Sequence, residues 1–465
     1  MAKTNRPNEV KLEKLVNGVV SNRERSDYAE SKEQLVIKND TIPDEVFIEQ
    51  GVNRGLRDIN GRGVLTGLTN ISAVNAFKEV NGERVAIEGE LWYRGYQAKD
   101  LIDMLEYNEM GFEKVAYLLI FGELPSKEEQ ADFVSQLSEA RYLPTNFTRD
   151  VIMKAPSSDI MNSMTKATLT LASYDPHVND ASLTNNIRQC LELTAVFPML
   201  AAYSYHAHNH FNCDGSMYIH RPDPNLSTAE NFLRMLRPDS SYTPLEAKVL
   251  DTALILHMEH GGGNNSSFTT RVVTSSGADA YAAISAAMCS LKGPRHGGAN
   301  IKVMQMIADA KKNIKDIGDR DEVKDYLCKL LDGKAFDKKG LIYGMGHAVY
   351  SMSDPRERIL RSYVEQLASA KDKDADMNLY HLIEELAPEV IAEKRKIYKG
   401  VSPNVDFYSG FVYEMLNIPV ELYTPLFAIA RIVGWSAHRL EELVGNGKII
   451  RPAYKSVMVE KSFSE

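Results

Sequence analysis

The sequence predicts an all-α protein. Three observations carry that expectation: helix-start signatures recur from residue 99 onward, apolar residues behind them repeat at three- and four-residue spacing, and period-two alternation is scarce. Residues 1–46 mix charges of both signs around a single aromatic, Tyr28, and read equally as a helical arm or a partly disordered extension. Arg84 to Tyr93, with Glu88-Gly89 in its middle, reads as a short hairpin. Ser126 and Glu129 form a capping box ahead of Phe133, Val134 and Leu137, and Ser227 and Glu230 open Phe232 to Leu236 in the same way. At Thr243-Pro244-Leu-Glu246 the threonine caps, the proline takes the first helical position with its preset φ, and the glutamate sits at the third. Leu250, Leu254 and His257 then recur at helical spacing, as do Val249, Ala253, Leu256 and His260, until Gly261-Gly262-Gly263 supplies a stop.

Composition bounds the function. The chain has 465 residues and a net charge of 54 minus 63, or -9, with 44% hydrophobic and 25% charged residues. At about 150 residues per domain, two or three units are expected. The acidic total argues against broad nucleic-acid binding, which shows a basic face. The longest apolar run, Val115 to Phe121, falls far short of the ~20 residues of a membrane span. The opening residues lack the apolar stretch of a secretory signal, and Glu9 and Glu13 argue against a transit peptide. Four scattered cysteines, Cys190, Cys213, Cys289 and Cys328, form neither a disulfide framework nor a metal motif, so a cytoplasmic protein is expected.

Several segments can carry chemistry. In GPRHGGAN, residues 293–300, His296 sits among glycines that let backbone approach a ligand, and a helical pattern follows whose unpaired N–H groups favour negative charge; a tight turn with an incidental histidine has the same appearance. In GMGHAVYSMSDPR, residues 344–356, His347 follows Gly344 and Gly346, while Asp354-Pro355-Arg356 reads as a cap and first helical turn, presenting a guanidinium either to a carboxylate ligand or to solvent. In NVDFYSG, residues 404–410, Asp406 lies between Val405 and Phe407, an apolar setting that raises a carboxylate toward the range of a useful base. Arg431, on the apolar stretch AIARIVGW, needs an anionic partner, internal or substrate, and Arg451 beside Ile449 and Ile450 has the same two readings.

His206, His208 and His210 alternate in YHAHNHF, a spacing that puts three imidazoles on one face of a strand and invites a metal-dependent hydrolase reading. They continue an apolar helical run from Thr194 to Tyr203, however, and on a helix this spacing does not converge. His257 and His260 likewise lack the HExxH spacing of a zinc protease. No metal and no resident cofactor are expected.

Six blocks in order, LWYRGYQAKDL, HMEHGGGNNSSFTTRVVTSS, GPRHGGAN, GMGHAVYSMSDPR, NVDFYSG and ARIVGWSAHRLEE, together make the chain resemble the Si-type citrate synthase family, which includes the 2-methylcitrate synthases. The resemblance runs from about residue 50 to the C-terminus. It implies a helical two-domain fold: an N-terminal extension over 1–49, a large domain of 50–298 and 417–465, and a smaller mobile domain over 299–416. It also implies a homodimer, with higher oligomers open, and condensation of oxaloacetate with acetyl-CoA followed by hydrolysis of citryl-CoA to citrate and CoA. A 2-methylcitrate synthase using propionyl-CoA, or dual activity, is the alternative. By position, Asp406 resembles the base, His296 the donor to the thioester oxygen and His347 the group polarising the ketone. His260, Arg356, Arg431 and Arg451 resemble the oxaloacetate binders, the last supplied across the dimer, and Gly344 and Lys399 resemble CoA contacts. Arg295 and Ala348 depart from the family pattern.

Overall fold

The computed structural model describes residues 23–58, 63–81, 83–105, 109–346, 350, 352–396, 401–445 and 447–459. These fall into two compact units, divided between Leu68 and Thr69. In the first unit, α1 (Arg23–Asp40) and α2 (Asp44–Glu49) are helical, and residues 28–49 are largely exposed; residues 1–22 of the N-terminal stretch lie outside the described residues.

The second unit opens with a small antiparallel sheet, β1 (Ser72–Val80), β2 (Glu83–Tyr93) and β3 (Tyr96–Gln97), in that order. The expected hairpin within 84–93 is therefore corrected: the segment is one strand, paired along its length with β1. Gly89 serves no turn. It lies where the β1–β2 register shifts, and an added Cβ there would run into the Ser353 carbonyl and sit 2.6 Å from the Tyr350 ring, so the glycine lets another backbone pass close by.

Helices follow: α3 (Ala98–Asp103), α4 (Gly111–Phe121), α5 (Lys127–Glu139), α6 (Ile160–Leu171), α7 (Leu183–Asn212), α8 (Thr228–Leu236), α9 (Pro244–His257), α10 (Asn265–Ser275) and α11 (Ala280–Leu291). Then come α12 (Ala299–Asn313), α13 (Arg320–Leu331), α14 (Pro355–Ala370), α15 (Asp374–Arg395), α16 (Val405–Met415) and α17 (Tyr423–Val444). All three expected capping boxes form, at Ser126, Ser227 and Thr243. Each closes two otherwise unpaired helix-start donors.

Helix α17 is the hub. It is buried from Tyr423 to Leu440 and packs against α4, α7, α9, α10 and α11, which is how a helix apolar on nearly every face must be used. Helices α12 to α16 pack largely among themselves, α13 on α15 and α16 against both α12 and α14, while α14 also rests on α9 and β2.

Helix α9 stops at His257, short of the glycine run expected to end it; Gly261, at φ +88°, lies in the loop beyond. A side chain from the sheet meets this end: the Tyr93 hydroxyl lies 3.0 Å from the Ile255 carbonyl and 3.2 Å from the Glu259 carbonyl, so its one proton is shared across the end of the helix and the loop beyond. Among the described residues no helix is long and apolar enough to cross a membrane.

Candidate active site

Asp406 is the second residue of α16, whose cap is Asn404: the Asn404 Oδ1 accepts from the Asp406 N–H at 3.0 Å. The preceding segment is laced to the glycine loop. Gly346 N–H donates to the Ser402 carbonyl at 2.7 Å, Asn404 N–H to the Gly344 carbonyl at 2.9 Å, and the Asn404 amide to the Gly346 carbonyl at 2.8 Å. Gly344 has φ +81°, and a Cβ there would sit 2.8 Å from the Phe407 ring and 2.9 Å from Val303, so both conformation and packing demand glycine. The loop leading to His347 is thus tied to the start of the Asp406 helix, although His347, Ala348 and Lys399 lie outside the described residues.

Asp354 joins this helix start to α14. It caps α14 by accepting from Arg356 N–H at 3.0 Å, and Pro355 takes the first helical position as expected. Its carboxylate takes two bonds from the Arg356 guanidinium, at 3.0 Å from Nε and 2.7 Å from Nη2, and one from Val405 N–H at 3.1 Å. A single buried carboxylate thereby orients Arg356 and the first turn of α16 together. The solvated alternative for Arg356 is thereby corrected: the side chain is buried, and the carboxylate it meets is that of Asp354.

Arg431, in the middle of α17, is also buried and donates from Nε to the His257 carbonyl at 2.9 Å. His257 is itself a brace: its ring stacks on Phe427 at 3.9 Å, and Nε2 meets the Tyr413 hydroxyl at 3.0 Å. Burial, with Arg356 and Arg431 nearby, keeps His257 neutral. His260, on the loop after α9, sits edge-on to the Tyr350 ring at 5.5 Å.

His296 occupies the turn between α11 and α12. Gly297 allows that turn, because a Cβ there would run into the Leu291 carbonyl and sit 2.9 Å from Thr424. The His296 Nε2 lies 3.1 Å from Ser266 Oγ, which also accepts from Trp435 Nε1–H at 3.1 Å and lies 2.9 Å from Asn264 Oδ1. Burial and the positive charge of Arg431 bring His296 down to about 4, so the ring is neutral at pH 7 and carries one N–H.

The electrostatics show which groups converge. Burial pushes the Asp406 carboxyl up to about 6 against the pull of Arg356, with Asp354 adding to the rise and Arg431 opposing it. Asp406, Arg356, Arg431 and His296 therefore share one electrostatic neighbourhood. Arg451 does not join them: it is exposed on the tail after α17, which touches α10 where Ile450 N–H donates to Ser275 Oγ at 3.0 Å. The alternating histidines lie on α7 and turn to three different partners, His206 to the Met235 carbonyl, His208 to Cys213 and His210 to the Gly215 carbonyl. Among the described residues no group of three or more histidines, cysteines or carboxylates is placed to hold a metal ion.

Sequence reasoning passed over Tyr93, Tyr350 and Ser266 as separate contributors, and it read Asp354 as a helix cap without its second role of holding the Arg356 guanidinium. These residues stand inside the blocks quoted above, but only packing reveals which neighbours of a candidate residue orient it.

A neutral imidazole and a raised carboxyl beside two buried guanidiniums make a site able to hold an anion and to move a proton next to it. The chain belongs to the citrate synthase family: the family model described as "Citrate synthase, C-terminal domain" matches residues 56–453. Citrate synthase from Synechocystis is 35% identical over 373 residues, covering 78% of this chain and 84% of its own length. The Deinococcus radiodurans enzyme is 36% identical over 341 residues, 73% of this chain and 84% of that one. The crystal structure of citrate synthase from Pyrobaculum aerophilum superposes with a TM-score of 0.71 at 27% identity, covering 88% of this chain and 96% of that one. A ternary complex of carboxymethyl coenzyme A and oxaloacetate with the Thermoplasma acidophilum citrate synthase gives 0.71 at 25% identity, covering 86% and 96%.

Proposed function

We propose that the protein condenses oxaloacetate with acetyl-CoA and hydrolyses the resulting citryl thioester to citrate and CoA. The observation that carries this reading is the Asp406 carboxyl, raised to about 6 and set among Arg356, Arg431 and a neutral His296.

Asp406 takes a proton from the acetyl methyl group, and His296 donates a hydrogen bond to the thioester oxygen as its charge grows. The enolate carbon then bonds to the ketone carbon of oxaloacetate, whose oxygen takes up a proton to become the citryl hydroxyl, and water cleaves the thioester, its oxygen joining the acyl carbon while the CoA sulfur leaves and is protonated. Deprotonation and oxygen stabilisation must coincide, because the methyl group is too weak an acid for either alone. His347 polarises the ketone on the strength of the family resemblance.

The Ser266 contact limits which nitrogen of His296 donates. The serine has one hydroxyl proton, and both Asn264 Oδ1 and His296 Nε2 are within reach. A neutral His296 can offer Nδ1–H to the thioester only when Ser266 gives its proton to Nε2.

His260, Arg356 and Arg431 bind the oxaloacetate carboxylates, joined by Arg451 from a second copy of the chain. The exposed tail supports that homodimer reading: Ile449, Tyr454, Met458 and Val459 are apolar and largely uncovered in the single chain. Gly344 and Lys399 contact CoA, residues 299–416 form the smaller domain that closes over it, and 417–465 return to the larger one. A cytoplasmic location accords with the four free cysteines.

The test is kcat/KM for acetyl-CoA against propionyl-CoA with oxaloacetate. One methylene is worth about 10- to 200-fold in discrimination, and acetyl-CoA is expected to win by about tenfold or more. Equal or reversed preference replaces this reading with a dual-activity enzyme or a 2-methylcitrate synthase.

A further inference from the structure

Behind Arg431 lies a chain of buried charges that the proposed chemistry does not use. Glu259, fully buried and next in sequence to His260, receives the Ser72 hydroxyl at 3.0 Å and faces His438 Nε2 at 3.0 Å. His438 is equally buried, and its Nδ1 lies 2.7 Å from Arg271 Nη2. A guanidinium only donates, so Nδ1 is the acceptor and Nε2 carries the proton toward Glu259. Arg271 is anchored in turn by Glu441 and, at 3.2 Å, by Glu442, while Glu441 accepts from Asn70 N–H at 2.7 Å.

The fold makes room for this arrangement. Arg431, Gly434 and His438 follow one another at three and four residues along α17 and so share a face. A Cβ on Gly434 would collide with Glu259 Oε2 and the Met258 carbonyl, which means the loop bearing Glu259 and His260 lies directly on the α17 backbone. Glu259 thus lies against the α17 face that carries both Arg431 and His438. Its charge is the leading favourable influence on Arg431; burial raises the Glu259 carboxyl, yet hydrogen bonds from His438 and Ser72 and the charge of Arg431 hold it below the usual carboxylate range.

Such burial is costly for a carboxylate unless it fixes something. We propose that Glu259, held by His438 and Arg271, is a positioning residue that sets Arg431 and His260 in the geometry that receives a substrate carboxylate. This deepens the reading of the site as an oxaloacetate pocket and rests on it.

Electrostatics and positioning predict opposite signs, which makes the idea easy to test. Removing a negative charge beside Arg431 strengthens anion binding if charge is all that matters, whereas loss of orientation weakens it. Wild-type turnover of oxaloacetate and acetyl-CoA is measured first; its absence refutes the substrate assignment rather than the positioning role. With turnover present, Glu259→Gln is expected to raise KM for oxaloacetate about tenfold or more, the size of a lost charge-assisted hydrogen bond, with kcat and KM for acetyl-CoA within about threefold of wild type. Gly434→Ala changes no charge and favours helix, yet displaces the Glu259 carboxylate; it is expected to raise the same KM and serves as the deciding variant should Glu259→Gln not fold. An unchanged or lowered KM for oxaloacetate in either variant, folded by circular dichroism, overturns the proposal, as does a loss confined to melting temperature.

Discussion

The two sides of the candidate site are held in contrasting ways. Asp406 and His296 stand at helix starts and glycine turns, partly open to solvent and fixed by few bonds: the Asn404 cap in one case, the Ser266 hydroxyl in the other. Arg356 and Arg431 are buried, Arg356 held by two guanidinium bonds to Asp354 at the start of α14 and Arg431 by its bond to the His257 carbonyl at the end of α9. The difference follows from what each group must do. A base has to change charge during the reaction, and a hydrogen-bond donor such as His296 has to keep an N–H for the thioester oxygen, so neither can be saturated with bonds that favour one state. A carboxylate receiver never changes charge and gains from rigidity.

That contrast is broken most severely at Asp406. Asp406→Asn keeps size and shape while removing the base, and is expected to lower kcat about 10³-fold, with oxaloacetate affinity by calorimetry within about threefold of wild type. Turnover near the wild-type value would remove Asp406 from the role of base. A milder change sharpens the account on the His296 side: Ser266→Ala deletes the hydroxyl beside His296 Nε2, and is expected to lower kcat about tenfold, in line with about one hydrogen bond, while leaving KM for oxaloacetate alone. A rise in that KM with kcat intact would place Ser266 on the binding side instead.

Much of this was legible in the sequence. The capping boxes at Ser126, Ser227 and Thr243 marked three helices correctly because a cap is a local matter of four residues. The Asp354-Pro355 start and the apolar setting of Asp406 were readable for the same reason. What was not legible depends on distant partners. The end of helix α9 at His257 is met by the Tyr93 hydroxyl, from a strand far earlier in the chain. Gly89 looked like a turn residue and proves to be a point of close approach to Ser353, over 260 residues away. Ser266 and Glu259 sat in quoted motifs without a role, since nothing local to either reveals that His296 or His438 faces it. The strong blocks identified the family, and tertiary contacts decide which residues within them orient the others.

The central claim is that burial brings Asp406 into the working range of a base, and the pH dependence of kcat/KM for acetyl-CoA at saturating oxaloacetate tests it most directly. Asp406 acts only when deprotonated. With its carboxyl raised to about 6, the rate should therefore hold above pH 7 and fall through an acid limb centred near pH 6, about tenfold per pH unit below it. A profile flat down to pH 5, with its acid limb at the ordinary carboxylate value near 4, would contradict the account.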